Sequence, residues 1–593
     1  MRKWEVFVIT WPRQQQVSNN SDKIWQVKDD PPAAPWLAQK VGISNLLSSL
    51  LIHRKVTAPD SAKHFLSPKL GALRDPFLFK DMERAVELIA SFVEDKRKIT
   101  IYGDYDADGI TATSLLVGFF SWLETPVSYY IPHRIEEGYS LNEAAIKKIA
   151  AARTELVITV DCGISSPSEI ALAKGLGMEV IVTDHHQLPV NFEPCCLTIN
   201  ACQPDCSFPF RELSGVGLAF YLAIATRAYL RESGFFNNSD EPDLKALLDL
   251  VALGTVADIV PLIEENRILV KSGLSLLSES RRPGMSELLR VSGIKKGQEI
   301  TTHDIGFRLA PRLNAMGRLG SAHGAVRLLT TDNETEAAQI AERMDSLNTQ
   351  RQAIESRILS QAREMIDRTE GFEKHRTIVL CDPSWHRGIV GIVASKILEE
   401  HNRPTLILGG DGEVAKGSGR SIDGFDLYEA LCDLSDVLTH FGGHSGAAGV
   451  TLEAKKLEEF RVKFEELARD RIDPKDMAPK IEVDARLDLE SITPQLMKEL
   501  EMLPPFGCQN TQPIFWAGPL EVASSKVVGN DHLKLRLKQQ GIIFDSIAFG
   551  KGALHPLQGK SVDALFHIET NTWRGRESIQ LVIKDLRTNA DGA

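Results

Sequence analysis

Short apolar runs rich in β-branched residues alternate with amphipathic segments along the first half of the chain. The apolar runs cover Ile99–Tyr102, Val127–Ile131, Leu156–Val160 and Glu179–Thr183, and segments with helical periodicity separate them. This strand–helix alternation predicts a mostly parallel sheet that helices cover on both faces. Ligands of such sheets bind beyond the carboxyl ends of the strands, so we expect the chemistry of this protein just after these runs.

The pattern changes in the middle of the chain. The stretch Asp332–Arg368 contains neither Gly nor Pro, which predicts one long helix with Asp332 as its N-cap. A second α/β lobe follows, with strands predicted over Thr377–Leu380 and Thr405–Leu408 and a helix over Ile389–His401 between them. The long helix is therefore expected to join two α/β lobes.

The C-terminal segment has a third pattern. After a linker over Asp473–Pro479, strands with Gly turns predominate, as in HLKLRL (His532–Leu537), and a segment of about 110 residues suits a small β-barrel. We expect an OB fold there, with Phe549 and Trp573 as candidate rings for base stacking, although most aromatic residues of small barrels belong to the core. The predicted fold class is α/β, with a mostly parallel core sheet, a second α/β lobe and a C-terminal OB-like barrel.

Composition and charge narrow the class of protein. The 593 residues are 43% hydrophobic, yet apolar runs such as Leu115–Leu123 are far too short to cross a bilayer, so we expect no membrane association. The N-terminus lacks the pattern of a secretory signal and the eight cysteines have no regular spacing, which together predict a cytoplasmic protein. The net charge of −12 argues against a general nucleic-acid coat, although a local field can still bind phosphate.

Four cysteines lie close together in the sequence, at Cys195, Cys196, Cys202 and Cys206. Structural zinc sites usually contain a CxxC pair, which this group lacks, so reduced thiols in a loop are favoured over a metal site. Metal ligands are therefore expected elsewhere in the chain.

The densest acidic cluster follows the first predicted strand, where GDYDADG contains Asp104, Asp106 and Asp108. Three carboxylates this close repel one another unless a cation neutralises them. A calcium-binding EF-hand loop starting at Asp104 would need a glutamate where Leu115 stands, which argues against this class. The DxDGT pattern of phosphotransferases, with Asp106 as nucleophile, stays open but explains none of the other motifs.

Acids and histidines follow the next apolar runs as well. VDCG contains Asp161, TDHH contains Asp184, His185 and His186, and GTVADIVPL contains Asp258. A single aspartate at such a place often only caps a helix or turn, but its recurrence at several strand ends weakens that interpretation. Carboxylate oxygens with imidazole favour Mn²⁺ or Mg²⁺, and a shared carboxylate can bridge two ions about 3.5–4 Å apart.

These four motifs, in this order, resemble those of the DHH phosphoesterase superfamily, and GGHSGAAG (Gly442–Gly449) resembles the signature of the DHHA1 domain. PRLNAMGR, SWHRGIVGIVASKI and GSGRSIDGFDL narrow the resemblance to the RecJ family of single-strand-specific 5′-to-3′ exonucleases. The resemblance extends from about Gly42 to Leu586. One departure is the turn PFGCQNTQP (Pro505–Pro513), which lacks a Gly and a Pro of the family pattern PFGxGNPxP.

The resemblance implies two divalent cations, Mn²⁺ or Mg²⁺, held by residues of the acidic motifs. Asp161 is expected to bridge the two ions; Asp108, His185 and Asp258 would complete one site, and Asp104 and Asp106 the other. His186 would face the scissile phosphate as a hydrogen-bond donor or acid, or alternatively orient His185, and Asp184 is expected to be structural.

The resemblance also implies a substrate pocket. Ser418 and Arg420 of GSGRS, with Arg134 of HRIEEGYS, resemble a site for a terminal 5′-phosphate, and a Gly-rich loop with a hydroxyl and a guanidinium suits an anion. Asn314 and Arg318 of PRLNAMGR are expected to contact the strand near the metals. His386 and His444 are expected near the cleft between the lobes, or else are satisfied core histidines.

The predicted domains are an N-terminal region (1–75), a DHH catalytic domain (76–330), a connecting long helix (331–372), a DHHA1 domain (373–472) and an OB-like nucleic-acid-binding domain (480–593). The implied function is a metal-dependent 5′-to-3′ exonuclease that degrades single-stranded DNA to 5′-mononucleotides in DNA repair and recombination. The alternatives are a phosphodiesterase of short oligonucleotides or cyclic dinucleotides and a non-catalytic nucleic-acid-binding scaffold. The expected partners are single-stranded DNA with a 5′ end, a single-strand-binding protein and a helicase, and a monomer is expected.

Overall fold

Four β-sheets organise the structure, a computed structural model that describes residues 23–189, 191–410, 412–573 and 576–589. Within these ranges the strands are β1 (Ile24–Val27), β2 (Ile99–Gly103), β3 (Val127–Tyr130), β4 (Leu156–Val160), β5 (Glu179–Thr183), β6 (Leu197–Ile199), β7 (Ile378–Cys381), β8 (Thr405–Gly410), β9 (Val414–Arg420), β10 (His440–His444), β11 (Ala447–Glu453), β12 (Lys480–Val483), β13 (Ala485–Arg486), β14 (Phe515–Val528), β15 (His532–Gln539), β16 (Ile542–Ala548), β17 (Ser561–Trp573) and β18 (Arg576–Thr588).

Helices connect these strands. The described α-helices are α1 (Ala34–Val41), α2 (Asn45–His53), α3 (Pro59–Leu66), α4 (Met82–Glu94), α5 (Ala107–Trp122), α6 (Glu143–Ala151), α7 (Pro167–Gly175), α8 (Gly215–Glu232), α9 (Leu248–Ala257), α10 (Glu264–Ser278), α11 (Pro283–Val291), α12 (Thr302–Asp304), α13 (Ala310–Leu319), α14 (His323–Thr330), α15 (Glu334–Asp367), α16 (Val390–His401), α17 (Leu427–Asp433), α18 (Leu457–Arg471) and α19 (Pro494–Leu500). None of these described helices combines the length and the apolar character that crossing a bilayer requires.

The first sheet is fully parallel, with strand order β3-β2-β4-β5-β6. Its strands are apolar on both faces because both faces are buried. Ile101 and Ile158 belong to the same core as α4, α5, α8 and α9, whereas Tyr102 and Val157 pack with residues of α6 and α7. The four strands predicted from the apolar runs are confirmed.

The second lobe has a mixed sheet of order β10-β11-β9-β8-β7, in which β7 and β8 are parallel and the remaining pairs are antiparallel. The long helix is confirmed as α15, but its predicted N-cap is wrong. Asn333, not Asp332, caps the helix, and its side-chain oxygen accepts a hydrogen bond from the Glu336 amide at 3.0 Å. Aspartate and asparagine both cap helices through a side-chain oxygen, so residue type does not select between Asp332 and Asn333 as the N-cap. The position at which the chain turns into the helix selects Asn333.

The C-terminal strands form the predicted OB-type barrel. Neighbours follow the order β14-β15-β16-β18-β17, and β17 also pairs with β14, which closes the barrel. The described residues divide into two compact units. The smaller contains the described parts of Met1–Ser67, Pro474–Pro504 and Thr511–Ala593, and the larger contains Pro68–Asp473 and Pro505–Asn510. The five-part domain division stays a prediction.

The altered turn PFGCQNTQP supplies a loop to the larger unit, Pro505–Asn510. The buried Asn510 side chain donates to the Pro505 carbonyl at 2.8 Å, and the Leu262 amide donates to the Cys508 carbonyl at 2.9 Å. The side-chain hydrogen bond closes this loop and the backbone hydrogen bond ties it to Leu262, in the same unit as Asp258, although the loop sequence departs from the family pattern.

Candidate active site

The acidic motifs meet at the carboxyl edge of the first sheet. Gly103 of β2 is in register with Val160 of β4, which is in register with Thr183 of β5. Asp104, Asp161 and Asp184 directly follow these three positions. They therefore leave the sheet side by side at its carboxyl edge. Parallel pairing brings together acids that are far apart in the sequence.

The six predicted ligands, together with His186, form overlapping groups in which the ligand atoms lie within 4.8 Å of one another. The described groups are Asp108 with His185 and Asp258, Asp104 with Asp106 and Asp161, and Asp161 with His185 and His186. His185 Nε2 lies 3.1 Å from Asp161 Oδ1 and 3.5 Å from Asp258 Oδ2. Asp161 thus belongs to two of these groups and contacts His185 of the third, the position that a bridging carboxylate needs.

The donor atoms at this edge fit a pair of divalent cations. Among the described side chains, Asp104 Oδ1, Asp161 Oδ1, Asp258 Oδ2 and His185 Nε2 are all buried without a hydrogen-bond partner. Buried polar atoms without partners are costly, and a cation would satisfy all four of these. Carboxylate oxygens, which make up most of this ligand set, are ligands that Mn²⁺ and Mg²⁺ prefer.

The pKa values in the metal-free cluster also indicate a cation site. Burial, followed by neighbouring carboxylates, raises the pKa of Asp161 and of Asp104 well above the usual carboxyl value. The same causes raise the pKa of Asp258 to about 10 and that of Asp108 to about 7. Burial, with the adjacent His186, lowers the pKa of His185 to about 4, which keeps its ring in the neutral form that binds metal.

Local structure holds the acidic loop in place. Asp106 is the N-cap of α5, and its Oδ1 accepts from the amides of Asp108 and Gly109 at 3.0 and 3.1 Å. Asn314, which is predicted to contact the DNA strand, accepts a hydrogen bond at its Oδ1 from the Ala107 amide at 2.9 Å. This oxygen therefore helps to fix the acidic loop. The role of Asn314 in binding DNA stays a prediction.

The N-terminus of α8 holds Asp108. The amides of Gly215 and Val216 donate to its two carboxylate oxygens at 2.6 and 2.9 Å. A side chain at Gly215 would collide with the cluster, because its Cβ would lie 2.7 Å from Asp161 Cβ. Neither residue was predicted from the sequence; the signal was the stretch SGVG, a capping serine followed by glycines at a helix start.

Asp184 orients His186. Asp184 Oδ1 accepts from the His186 amide at 3.0 Å and lies 2.7 Å from His186 Nδ1, while Oδ2 accepts from the Ile164 amide at 2.9 Å. Burial alone would lower the pKa of His186, but the hydrogen bond to Asp184 raises it overall. Tyr139, which the sequence does not predict as a site residue, places its hydroxyl 3.2 Å from His186 Nδ1. It lies in the same stretch, HRIEEGYS, as Arg134.

The predicted phosphate-binding residues form a basic pocket. Arg420 Nη1 donates to Ser418 Oγ at 2.7 Å, and the Arg134 guanidinium lies 4.7 Å from the centre of the Tyr105 ring. Burial, then Arg134, lowers the pKa of Arg420, and burial, then three neighbouring arginines that include Arg134 and Arg420, lowers the pKa of Arg318 to about 9. These cations repel one another, so the pocket favours an anion.

Two further features suit this pocket to an anion. Within the described residues, no carboxylate oxygen lies within 4.0 Å of the guanidinium nitrogens of Arg134, Arg318 or Arg420. Gly391, which was not predicted, keeps the pocket open, because a Cβ there would lie 3.2 Å from Ser418 Oγ and 3.4 Å from Arg420 Nη2. The motif SWHRGIVGIVASKI contains this glycine.

The remaining candidates differ in their surroundings. His386 is half-buried and its Nδ1 accepts from the Gly388 amide at 3.2 Å, and the Gly388 carbonyl in turn accepts from Arg318 Nη1 at 2.7 Å. His444 is exposed; it pairs with Ala447, which pairs with Arg420 in the next strand. Phe549 is exposed on the barrel, and the side chain of Trp573 lies outside the described residues.

Comparison with known proteins finds family models for three parts of the chain and similar full-length relatives. Family models match residues 98–255 ("DHH family, N-terminal domain"), residues 375–470 ("DHHA1 domain") and residues 483–585 ("RecJ OB domain"). The chain is 38% identical to the "Single-stranded-DNA-specific exonuclease RecJ" of Bacillus subtilis, over 95% of this chain and 70% of that protein.

Two crystal structures of RecJ from Thermus thermophilus are similar to the whole fold. The complex with Mn²⁺ has a TM-score of 0.80 at 31% identity and covers 96% of this chain and 80% of that one. The complex with Mg²⁺ has a TM-score of 0.75 at 29% identity and covers 96% and 79%. The ions in these two structures are those that the donor set of the cluster favours.

Proposed function

Since this chain belongs to the RecJ family of single-stranded-DNA-specific exonucleases, we propose that it removes nucleotides from the 5′ end of single-stranded DNA and releases 5′-mononucleotides. The enzyme is metal-dependent. The observation that supports this chemistry most directly is the convergence of four buried, unpartnered ligand atoms at the edge of the parallel sheet. We propose DNA repair and recombination as the processes it serves.

Each acidic residue has a proposed part in holding the cations. Asp108, His185 and Asp258 hold one ion, Asp104 and Asp106 hold the other, and Asp161 contributes to both. When bound, the two cations activate a water molecule and neutralise charge on the phosphoryl oxygens. The protein contributes a fixed geometry, because the amides of α8 and the cap of α5 hold the ligands before substrate arrives.

His186 is the proposed proton donor to the scissile phosphate. Its Nδ1 is engaged with Asp184, which leaves Nε2 as the ring nitrogen available to the substrate. The raised pKa of His186 favours the protonated ring, which can donate a proton near neutral pH. Asp184 has the supporting role of fixing the ring orientation.

The polarity of digestion comes from the basic pocket. Ser418, Arg420 and Arg134 are proposed to bind the terminal 5′-phosphate, while Arg318 and Asn314 guide the following part of the strand to the metals. A fixed distance from this pocket to the cations would then select the first phosphodiester for hydrolysis. His386 and His444 are proposed to line the approach to this pocket.

The barrel and the complete ligand set support this function over the alternatives. A phosphodiesterase of short oligonucleotides or cyclic dinucleotides would not need the OB domain that residues 483–585 match. A non-catalytic scaffold would not need six candidate ligands, four of which have a buried atom without a hydrogen-bond partner. Single-strand binding by the barrel instead fits a long polymeric substrate.

The proposal also covers the compartment, the partners and the oligomeric state. All eight cysteines are free, which fits a reducing cytoplasm. Because the substrate must be unpaired and is usually coated, a helicase and a single-strand-binding protein are the proposed partners. We propose that the enzyme is a monomer, which light scattering of the purified protein would test. The domain boundaries 76–330, 373–472 and 480–593 belong to the same proposal.

One assay tests the proposed function. The full chain is incubated with Mn²⁺ and with single strands or blunt duplexes that are labelled at the 5′ or the 3′ end. We expect the 5′ label to appear first as a mononucleotide, the 3′-labelled strand to shorten gradually, and duplexes to resist. Early release of the 3′ label would refute the proposed polarity, and equal digestion of duplexes would refute single-strand specificity.

A further inference from the structure

The turn after Asp258 adopts a costly conformation. Ile259 has φ +61°, and its side chain is 74% exposed. A β-branched residue rarely adopts this left-handed region, and an exposed isoleucine gains nothing from burial. Strained residues persist only where the surrounding structure fixes them. The turn that follows a candidate metal ligand must therefore be held by other groups.

Asn266 is the side chain that holds it. This residue of α10 is 0% exposed, and its Nδ2 donates to the Pro261 carbonyl at 3.0 Å and to the Glu212 carbonyl at 2.6 Å. The first bond fixes the turn, together with the bond from the Leu262 amide to the Cys508 carbonyl. The second bond ties the turn to the segment that precedes α8.

That segment contacts the other two ligands of the same proposed metal site. The backbone of Leu213 hydrogen-bonds His185, and the amides of Gly215 and Val216 donate to the carboxylate of Asp108. One buried amide group therefore connects the turn after Asp258 with the backbone that positions Asp108 and His185.

We propose that Asn266 is a positioning residue of the metal centre, which sets the position of Asp258 relative to Asp108 and His185 and thereby the affinity of that site for its cation. This inference rests on the proposed two-metal function. This role explains the strain at Ile259, because the hydrogen bonds of Asn266 hold the turn in the place where Asp258 meets Asp108 and His185.

The test is Mn²⁺ binding to the full-length Asn266→Ala variant, measured by calorimetry and electron paramagnetic resonance without DNA. We expect one of two Mn²⁺ sites to weaken by about 10- to 100-fold while the other is unchanged. The kcat should recover at saturating Mn²⁺, and the KM for single-stranded DNA should remain near that of wild type. Should the alanine variant not fold, Asn266→Ser, which retains one donor, should show a smaller loss in the same direction.

Asn348→Ala is the matched control. Asn348 is 3% exposed, and its Oδ1 accepts from Arg351 Nη2 at 2.8 Å on the long helix. Its loss should lower the melting temperature without changing Mn²⁺ affinity. A drop in melting temperature for Asn266→Ala with wild-type affinity at both Mn²⁺ sites would overturn the inference.

A rescue experiment separates positioning from general support. Asparagine adopts the left-handed region more readily than isoleucine, so Ile259→Asn relieves the strain that opposes the turn. In the Asn266→Ala background, this second change should restore part of the lost Mn²⁺ affinity, and an absence of any recovery would contradict the proposed role of the strain. Failure of the wild-type protein to bind Mn²⁺ would instead refute the metal centre itself, and this inference with it.

Discussion

The Arg420→Ala substitution tests whether the basic pocket gives the enzyme its polarity. Arg420 has no carboxylate partner within 4.0 Å among the described residues, so a bound phosphate does not have to displace an internal ion pair. Burial and the nearby Arg134 lower the pKa of Arg420, which shows that its charge is poorly compensated until an anion arrives. One charge-assisted hydrogen bond contributes about 1.5–3 kcal/mol, which corresponds to a KM increase of about 10- to 150-fold.

The assay compares single strands with a 5′-phosphate and with a 5′-hydroxyl on wild type and variant. We expect the KM increase for the phosphorylated strand and a much smaller change for the hydroxyl strand. Arg327→Ala is the control, because Arg327 is an exposed arginine whose Nε donates to Glu336 Oε1 at 2.7 Å. Equal losses on both strands would show that Arg420 contacts an internal phosphate or supports the fold, and the proposed origin of the polarity would be wrong.

Three further predictions concern the metal centre and the barrel. Asp161→Ala should abolish hydrolysis, because Asp161 belongs to two of the ligand groups, and the circular dichroism spectrum should stay that of wild type. A kcat above a tenth of the wild-type value at saturating Mn²⁺ would contradict a bridging role. Burial and neighbouring carboxylates raise the folded-state pKa of Asp258 to about 10, well above the unfolded value of about 3.9. The protonated carboxyl group should therefore stabilise the metal-free protein fully below about pH 4, and this contribution should be lost as the pH rises toward 10. Calorimetry in a chelator should therefore show a steeper fall in melting temperature from pH 5 to 8 for wild type than for Asp258→Asn, and equal slopes would refute this linkage. Phe549→Ala, which removes a ring that is 61% exposed, should weaken binding of oligo(dT) by about 1–3 kcal/mol without changing kcat on a dinucleotide, whereas unchanged binding would exclude base stacking there.

The sequence by itself determined the main strands of the first sheet, the long helix and the residue types at the active site. The runs at Ile99–Tyr102 and Leu156–Val160 are apolar on both faces because helices cover both sides of the sheet, so their pattern leaves little alternative to a buried parallel strand. Acids directly after such parallel strands share one edge of the sheet, so the sequence is enough to place Asp104 and Asp161 together.

The tertiary structure alone decided which groups hold these residues in place. Local pattern could not show what Gly215, Tyr139 and Asn266 contact, because their partners lie on other segments and the contacts exist only after the chain folds. The N-cap of the long helix is a second example of what the sequence does not determine. Asp332 and Asn333 both have a side-chain oxygen that can cap a helix, and only the path of the backbone selects between them. Periodicity reports which face of an element is buried, whereas hydrogen-bond partners and pKa values depend on distances between distant segments, and those distances are properties of the folded chain.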